Sequence, residues 1–107
     1  MIPIIHKIAN EYKANLRDLY GNELVELILF GSYARGDFRK ESDVDFAVVL
    51  RKPTVRPAEE ILKTSPISVQ LELKYGMMLS TLPVSMEKKQ TSMQGVYQDI
   101  RKEGIVI

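Results

Sequence analysis

The sequence predicts an α/β (α+β) fold: a small mixed β-sheet with helices packed on one side. Three observations predict it. The chain opens with an amphipathic stretch, two short apolar runs follow at 24–30 and 43–50, and a further helical stretch leads to a third apolar run at 77–83. Apolar residues three and four apart mark helices that bury one stripe, whereas short apolar runs bounded by turn residues mark buried strands. A length of 107 residues fits one domain spanning 1–107.

Each element has a local reason. Pro3 opens a first helix running to about Tyr20, with Ile5, Ile8, Tyr12, Leu16 and Leu19 as its buried stripe and Gly21-Asn22 as its end. His6, the one histidine, lies beside that stripe and is expected at the surface without a catalytic role. Leu24 to Phe30 carries a single charge, which suits a buried strand. Gly31 ends it, and Ser32 is expected to cap a short helix through Tyr33, Ala34 and Arg35. A polar turn from Gly36 to Ser42 leads to the second strand, 43–50.

A proline-punctuated loop, Lys52-Pro53 to Arg56-Pro57, precedes a short helix through Leu62. From Ile67 to Leu73 apolar residues alternate as in a strand, yet Ser65-Pro66 and Gly76 frame the segment as a separate helix, and that reading supplies the crossover. The third strand is expected at Met77–Pro83, a short helical turn capped by Ser85 after it, and a last helix at 92–103 with Met93, Val96, Tyr97 and Ile100 at helical spacing. Gly104 stops that helix, and the apolar Ile105-Val106-Ile107 calls for a sheet edge or a covering partner. The methionines at 77, 78, 86 and 93 read as core filler or as an interface.

Composition narrows the function. A net charge of +1 gives no broad electrostatic footprint for wrapping nucleic acid. The absence of cysteine excludes disulfides and thiolate metal sites and fits a cytoplasmic setting. No apolar run approaches the ~20 residues of a membrane span, and the N-terminus lacks a signal-peptide apolar core.

The chemistry sits in Gly31-Ser32, ten intervening residues, then Asp43-Val44-Asp45. A glycine turn leading into a helix offers free amides and close backbone approach to a phosphate, and the Ser32 hydroxyl adds a donor. Residues two apart on a strand share a face, so Asp43 and Asp45 would present two hard oxygen ligands together, as magnesium shared with substrate phosphates requires. A P-loop is excluded, because Asp37-Phe38 stands where Lys and Ser/Thr are needed. An EF-hand is excluded too, since neither its glycine nor its closing glutamate follows Asp43. Arg35 or Lys40 could reach the outer phosphates; alternatively Arg35 braces the turn through Asp37 or Glu41. The basic cluster Arg51, Lys52 and Arg56 either faces a triphosphate or an acidic partner, or solvates its loop.

The segment from Leu29 to Val49 resembles the signature of the minimal nucleotidyltransferases, the MNT branch of the DNA polymerase β-like superfamily. It has the Gly-Ser, the spacing and the Asp-x-Asp, with Ala34-Arg35-Gly36 after the first and Ser42-Asp43 at the second. The resemblance implies a polymerase β palm-like fold and transfer of a nucleoside monophosphate, AMP from ATP, to a hydroxyl acceptor with Mg2+ or Mn2+. It implies catalytic and metal-binding roles for Asp43 and Asp45 and nucleotide binding by Gly31, Ser32 and Arg35. Many members are antitoxins of a HEPN-type helical partner, some acting on its tyrosine; a homo-oligomer is also open. The family pattern expects a third carboxylate on the third strand, near Gly76 or Met77. None stands there; Glu72 and Glu87 are the nearest acids, and absence is the remaining option. That departure keeps open a second reading, a binding module that neutralises its partner by contact.

Overall fold

The structure, a computed structural model, describes residues 1–107. Pro3 begins α1 (Pro3–Tyr20), where its missing N–H removes no helical bond. The helix buries Ile5, Ile8, Ala9, Tyr12, Leu16 and Tyr20. The stripe therefore ends on Tyr20, while Leu19 faces solvent. His6 is exposed, as expected.

β1 (Leu24–Phe30) and β2 (Val44–Leu50) pair antiparallel, Phe30 opposite Asp45 at one end and Leu24 opposite Leu50 at the other. Between them stands the four-residue α2 (Ser32–Arg35). β3 (Leu79–Ser85) runs parallel to β2, and β4 (Ile105–Val106) runs antiparallel to β1, giving the order β3-β2-β1-β4. Pro83 sits in β3, an edge strand, where a proline costs the sheet least. The apolar tail is thus a sheet edge.

The crossover is a single helix, α3 (Pro57–Tyr75), with Pro66 inside it. The expected break at Ser65-Pro66 does not occur. The proline removes only the bond to the Leu62 carbonyl, on the solvent-facing side, and burial of Glu60, Thr64 and Leu71 along the inner face holds both halves in one line. The alternation from Ile67 to Leu73 resolves into Leu71 inward and Val69 and Leu73 outward. The third strand lies two residues later than the sequence predicts.

Faces of the sheet differ. Leu27, Leu29, Val44, Phe46, Val48 and Leu50 pack with α1 and α3 in the main core. Ile28, Ala47, Val49 and Val84 meet Tyr97 and Ile100 of α5 (Gly95–Glu103) on the opposite face. The two long helices do share one side, but the short α4 (Met86–Thr91) and α5 lie on the other, correcting the one-sided packing the sequence predicts. Glu26, the one charge in β1, pairs with Lys89 of α4 at 3.1 Å. The Ser85 hydroxyl caps α4 by accepting from the Lys88 amide, as read from sequence. α5 starts at Gly95, three residues later than expected, because Met93 is exposed instead of packed. Met78 and Met86 are exposed too, so only Met77 joins the core.

Beneath the far end of β2, Tyr20 donates to Glu60 at 2.8 Å and Lys52 pairs with the same carboxylate at 2.9 Å. Burial pushes Glu60 up, but hydrogen bonds from Lys52 and Tyr20 outweigh it and hold the group below its ordinary value. No helix is long and apolar enough to cross a membrane.

Candidate active site

β1 ends at Phe30 because the chain must reverse over its neighbour, and Gly31 makes the reversal with φ +74°. Few residues but glycine adopt that conformation cheaply. Gly31, not Ser32, is the N-cap of α2; Ser32 is the first helical residue. The Gly31 carbonyl accepts from the amides of Ala34 and Arg35 at 3.1 and 3.0 Å. The amides of Ser32 and Tyr33 therefore precede the first intrahelical bond. Four residues make too short a helix for a large dipole, so these amides are what the turn offers an anion.

The glycine has a second reason to be there. A Cβ at position 31 would overlap Asp45 Oδ2 and lie 3.1 Å from its Cγ. The turn thus rests directly on the carboxylate across the β1–β2 pair. The pattern Gly-Ser signals the turn; only the register Phe30 opposite Asp45 shows that both halves of the motif touch.

Asp45 lies on the same face of β2 as Ala47 and Val49, at the end beyond the reach of the α5 contacts. Asp43 precedes the strand and is exposed. Burial first, and the Asp43 charge second, push the Asp45 carboxyl above its ordinary value; Arg35 and the Ser80 hydroxyl pull it back. Two adjacent like charges, one half-buried, form a site that a divalent cation would relieve. Asp43 and Asp45 fit Mg2+ or Mn2+ in kind, although no cluster of three acids or histidines completes them.

The other candidates fall in three groups. Arg35 is held at 3.2 Å by both Asp37 and Glu103, a brace between α2 and α5 rather than the Glu41 pairing considered from sequence. Lys40 lines a cleft of ≈ 260 Å³ with Glu41, Ser42, Gly76, Met77 and Met78, next to the aspartate pair. The basic cluster is engaged elsewhere: Arg51 donates to the Asn22 carbonyl, Lys52 to Glu60, and Arg56 to Glu59.

Neither acid considered for the third position stands by the pair. The Glu72 carboxylate accepts from the Leu79 amide at 2.8 Å, on α3 behind the sheet. Glu87 lines a cleft with Leu50, Arg51 and Lys52, at the far end of β2. The residue opposite Asp45 on β3 is Ser80. Placing β3 at 77–83 hid this; the Ser85 cap was the signal, since counting seven residues back from it yields 79–85. Sequence reasoning also missed the stack of Phe38 on Tyr33, centroids 4.4 Å apart, which pins the loop between turn and pair.

A glycine turn seated on Asp45, with Asp43 two residues before it, stands at one end of a mixed sheet, an arrangement whose free amides suit a phosphate and whose carboxylates suit a divalent ion. The nucleotidyltransferase domain family matches residues 9–107, and the chain belongs to it, as a minimal nucleotidyltransferase. A Methanocaldococcus jannaschii protein whose name gives it as a candidate protein adenylyltransferase is 37% identical over 73% of this chain and 77% of its own length. Among solved structures, a toxin–antitoxin complex with AMP-PNP contains a chain similar to this one, with a TM-score of 0.65, 19% identity, and coverage of 92% of this chain and 70% of that one. A candidate minimal nucleotidyltransferase gives 0.55 and 22%, with coverage of 95% and 94%. These likenesses show the fold.

Proposed function

We propose that the chain transfers AMP from ATP to a hydroxyl of a protein partner, a tyrosine of a helical HEPN-type toxin, and so acts as its antitoxin. The observation that carries this reading is the contact of Gly31 with Asp45, which joins the phosphate turn and the acidic pair into one site. The similarity to a candidate protein adenylyltransferase supports AMP transfer to protein, and the similarity to a toxin–antitoxin chain supports the partner.

In this mechanism the amides and hydroxyl at Gly31-Ser32 orient the triphosphate, with Arg35 reaching it by exchanging Asp37 and Glu103 for phosphate oxygens. Asp43 and Asp45 would hold a divalent ion, which when bound neutralises charge on the phosphates. The acceptor hydroxyl oxygen bonds to the α-phosphorus and gives up its proton to solvent, the α–β phosphoanhydride breaks, and pyrophosphate leaves. Alignment and electrostatics account for the rate; no covalent enzyme intermediate is needed.

The test uses ATP labelled at the α-phosphate or, separately, at the γ-phosphate, with Mg2+ and a HEPN-type protein encoded beside this one. Label from the α position alone should reach the partner's tyrosine, and the Asp43→Ala, Asp45→Ala double variant should transfer none. Equal labelling by wild type and double variant would sink the catalytic reading. The missing third acid favours a second reading, neutralisation by contact alone; toxin inhibition that survives loss of both aspartates selects it.

A further inference from the structure

The parallel register of β2 and β3 sets Asp45 beside Ser80. Leu82 and Val84, two and four residues on, pack with Ala47 and Val49. Ser80 therefore projects to the face that carries Asp45. Thr81, its neighbour, points the other way and bonds Tyr12 at 2.8 Å. Ser80 is exposed, and its hydroxyl lies near enough to Asp45 to hydrogen-bond that carboxylate. Glu72 and Glu87 are both committed away from this place.

We propose that Ser80 holds the third position of the ion site, making it two carboxylates and one hydroxyl, and that this hydroxyl limits the affinity of the site for divalent ions. The inference rests on the reading that Asp43 and Asp45 bind such an ion. A third carboxylate would add a charge that attracts the cation when it is present and repels the aspartates when it is not. Serine gives up the first effect and avoids the second. The ion-free fold is spared a third like charge at one spot, and ion occupancy depends more on the oxygens that the nucleotide itself brings.

Titration of the full chain with Mn2+, followed by electron paramagnetic resonance and calorimetry, tests this without reference to activity. Ser80→Asp should tighten Mn2+ binding by about 10–100-fold, the scale on which changing one group at an ion site acts. It should also melt lower than wild type without ion and recover on adding Mn2+. Gln90→Asp, which adds the same charge on the exposed surface of α4, should leave binding unchanged. Ser80→Asn supplies an oxygen without charge; it should tighten binding less, and it serves if the aspartate variant fails to fold. Wild-type affinity in both Ser80 variants, with binding in the wild type abolished by Asp43→Ala, Asp45→Ala, overturns the role of Ser80 alone. No Mn2+ binding by any of them, or binding indifferent to the aspartates, overturns the ion-site reading and this inference with it. Binding gained only in Ser80→Asp supports it.

Discussion

Replacing Gly31 by alanine separates the two demands on that residue. The first is conformational: at φ +74° a side chain costs about 1–2 kcal/mol. The second is spatial, since the new methyl overlaps Asp45 Oδ2 and lies 3.1 and 3.3 Å from Cγ and Cβ of the same side chain. Relieving that overlap moves the carboxylate by about 1 Å and adds about 1–3 kcal/mol of overpacking. Gly36 is the matched control, because its φ is +88° but nothing lies within 4 Å of its would-be Cβ. Gly36→Ala should therefore lose about 1–2 kcal/mol. Gly31→Ala should lose about 2–5 kcal/mol, the sum of both effects. Urea unfolding measures these losses. Transfer from α-labelled ATP, assayed where both variants are folded, should fall on the order of 10²-fold for Gly31→Ala, as a 1 Å misplacement of a reacting group does. Gly36→Ala should stay near wild type. Equal stability and equal rate in the two variants would refute the reasoning, for it would mean that the turn and the carboxylate do not press on each other.

Other outcomes follow from the packing elsewhere in the fold. Lys52→Ala leaves the Glu60 carboxylate with Tyr20 at 2.8 Å and Lys63 at 3.7 Å, and should cost about 2 kcal/mol in urea unfolding, the scale of one hydrogen bond to a charged group. Because Glu60 is held below its ordinary value, its contribution is present above the unfolded carboxyl pKa and lost as pH falls through the depressed folded one. Lys52 is raised, chiefly by its bond to Glu60, so its contribution is present below the unfolded ammonium pKa and lost as pH rises through the folded one. Glu60→Gln should flatten the acid limb of a stability–pH curve. Gly104→Ala sets a methyl 2.5 Å from Ile28 Cγ2 and against the Ile100 carbonyl, and should lower stability by about 1–3 kcal/mol. Pro66→Ala restores an amide to α3 and should raise stability by about 1–3 kcal/mol, with a gain in helical circular dichroism. No gain there would mean that the proline suits its bend.

What was legible in the sequence was what local chemistry decides. β1 from Leu24 to Phe30, the start of a helix at Pro57 and the Ser85 cap all follow from neighbours along the chain. The Asp-x-Asp spacing was legible for the same reason. What was hidden depends on distant partners. Pro66 looked like a boundary because the inner face that overrides it is built from α1 and the sheet. The Asp37 brace on Arg35 was legible as one of its two roles, but its second partner, Glu103, was not, being 68 residues away. Ser80 was passed over because a two-residue offset in a parallel strand changes which side chain sits beside Asp45. The second helical layer went unseen because a stripe as short as Tyr97 and Ile100 on α5 does not announce which face it will cover.

The pairing of β1 with β4 has a consequence for how the chain is made. Ile28 and Leu29 bond β2 on one edge and, on the other, Val106 and Ile105. The first edge closes as soon as the next strand has left the ribosome. The second must wait for more than 50 further residues, about 3–11 s at the usual pace of synthesis. Throughout that interval the strand at the heart of the sheet presents a bare, apolar edge, the kind of surface on which nascent chains pair with one another. Polysomes translating this message are where association between copies should be greatest, and a slow stretch of codons between those for β2 and β4 would prolong the exposure.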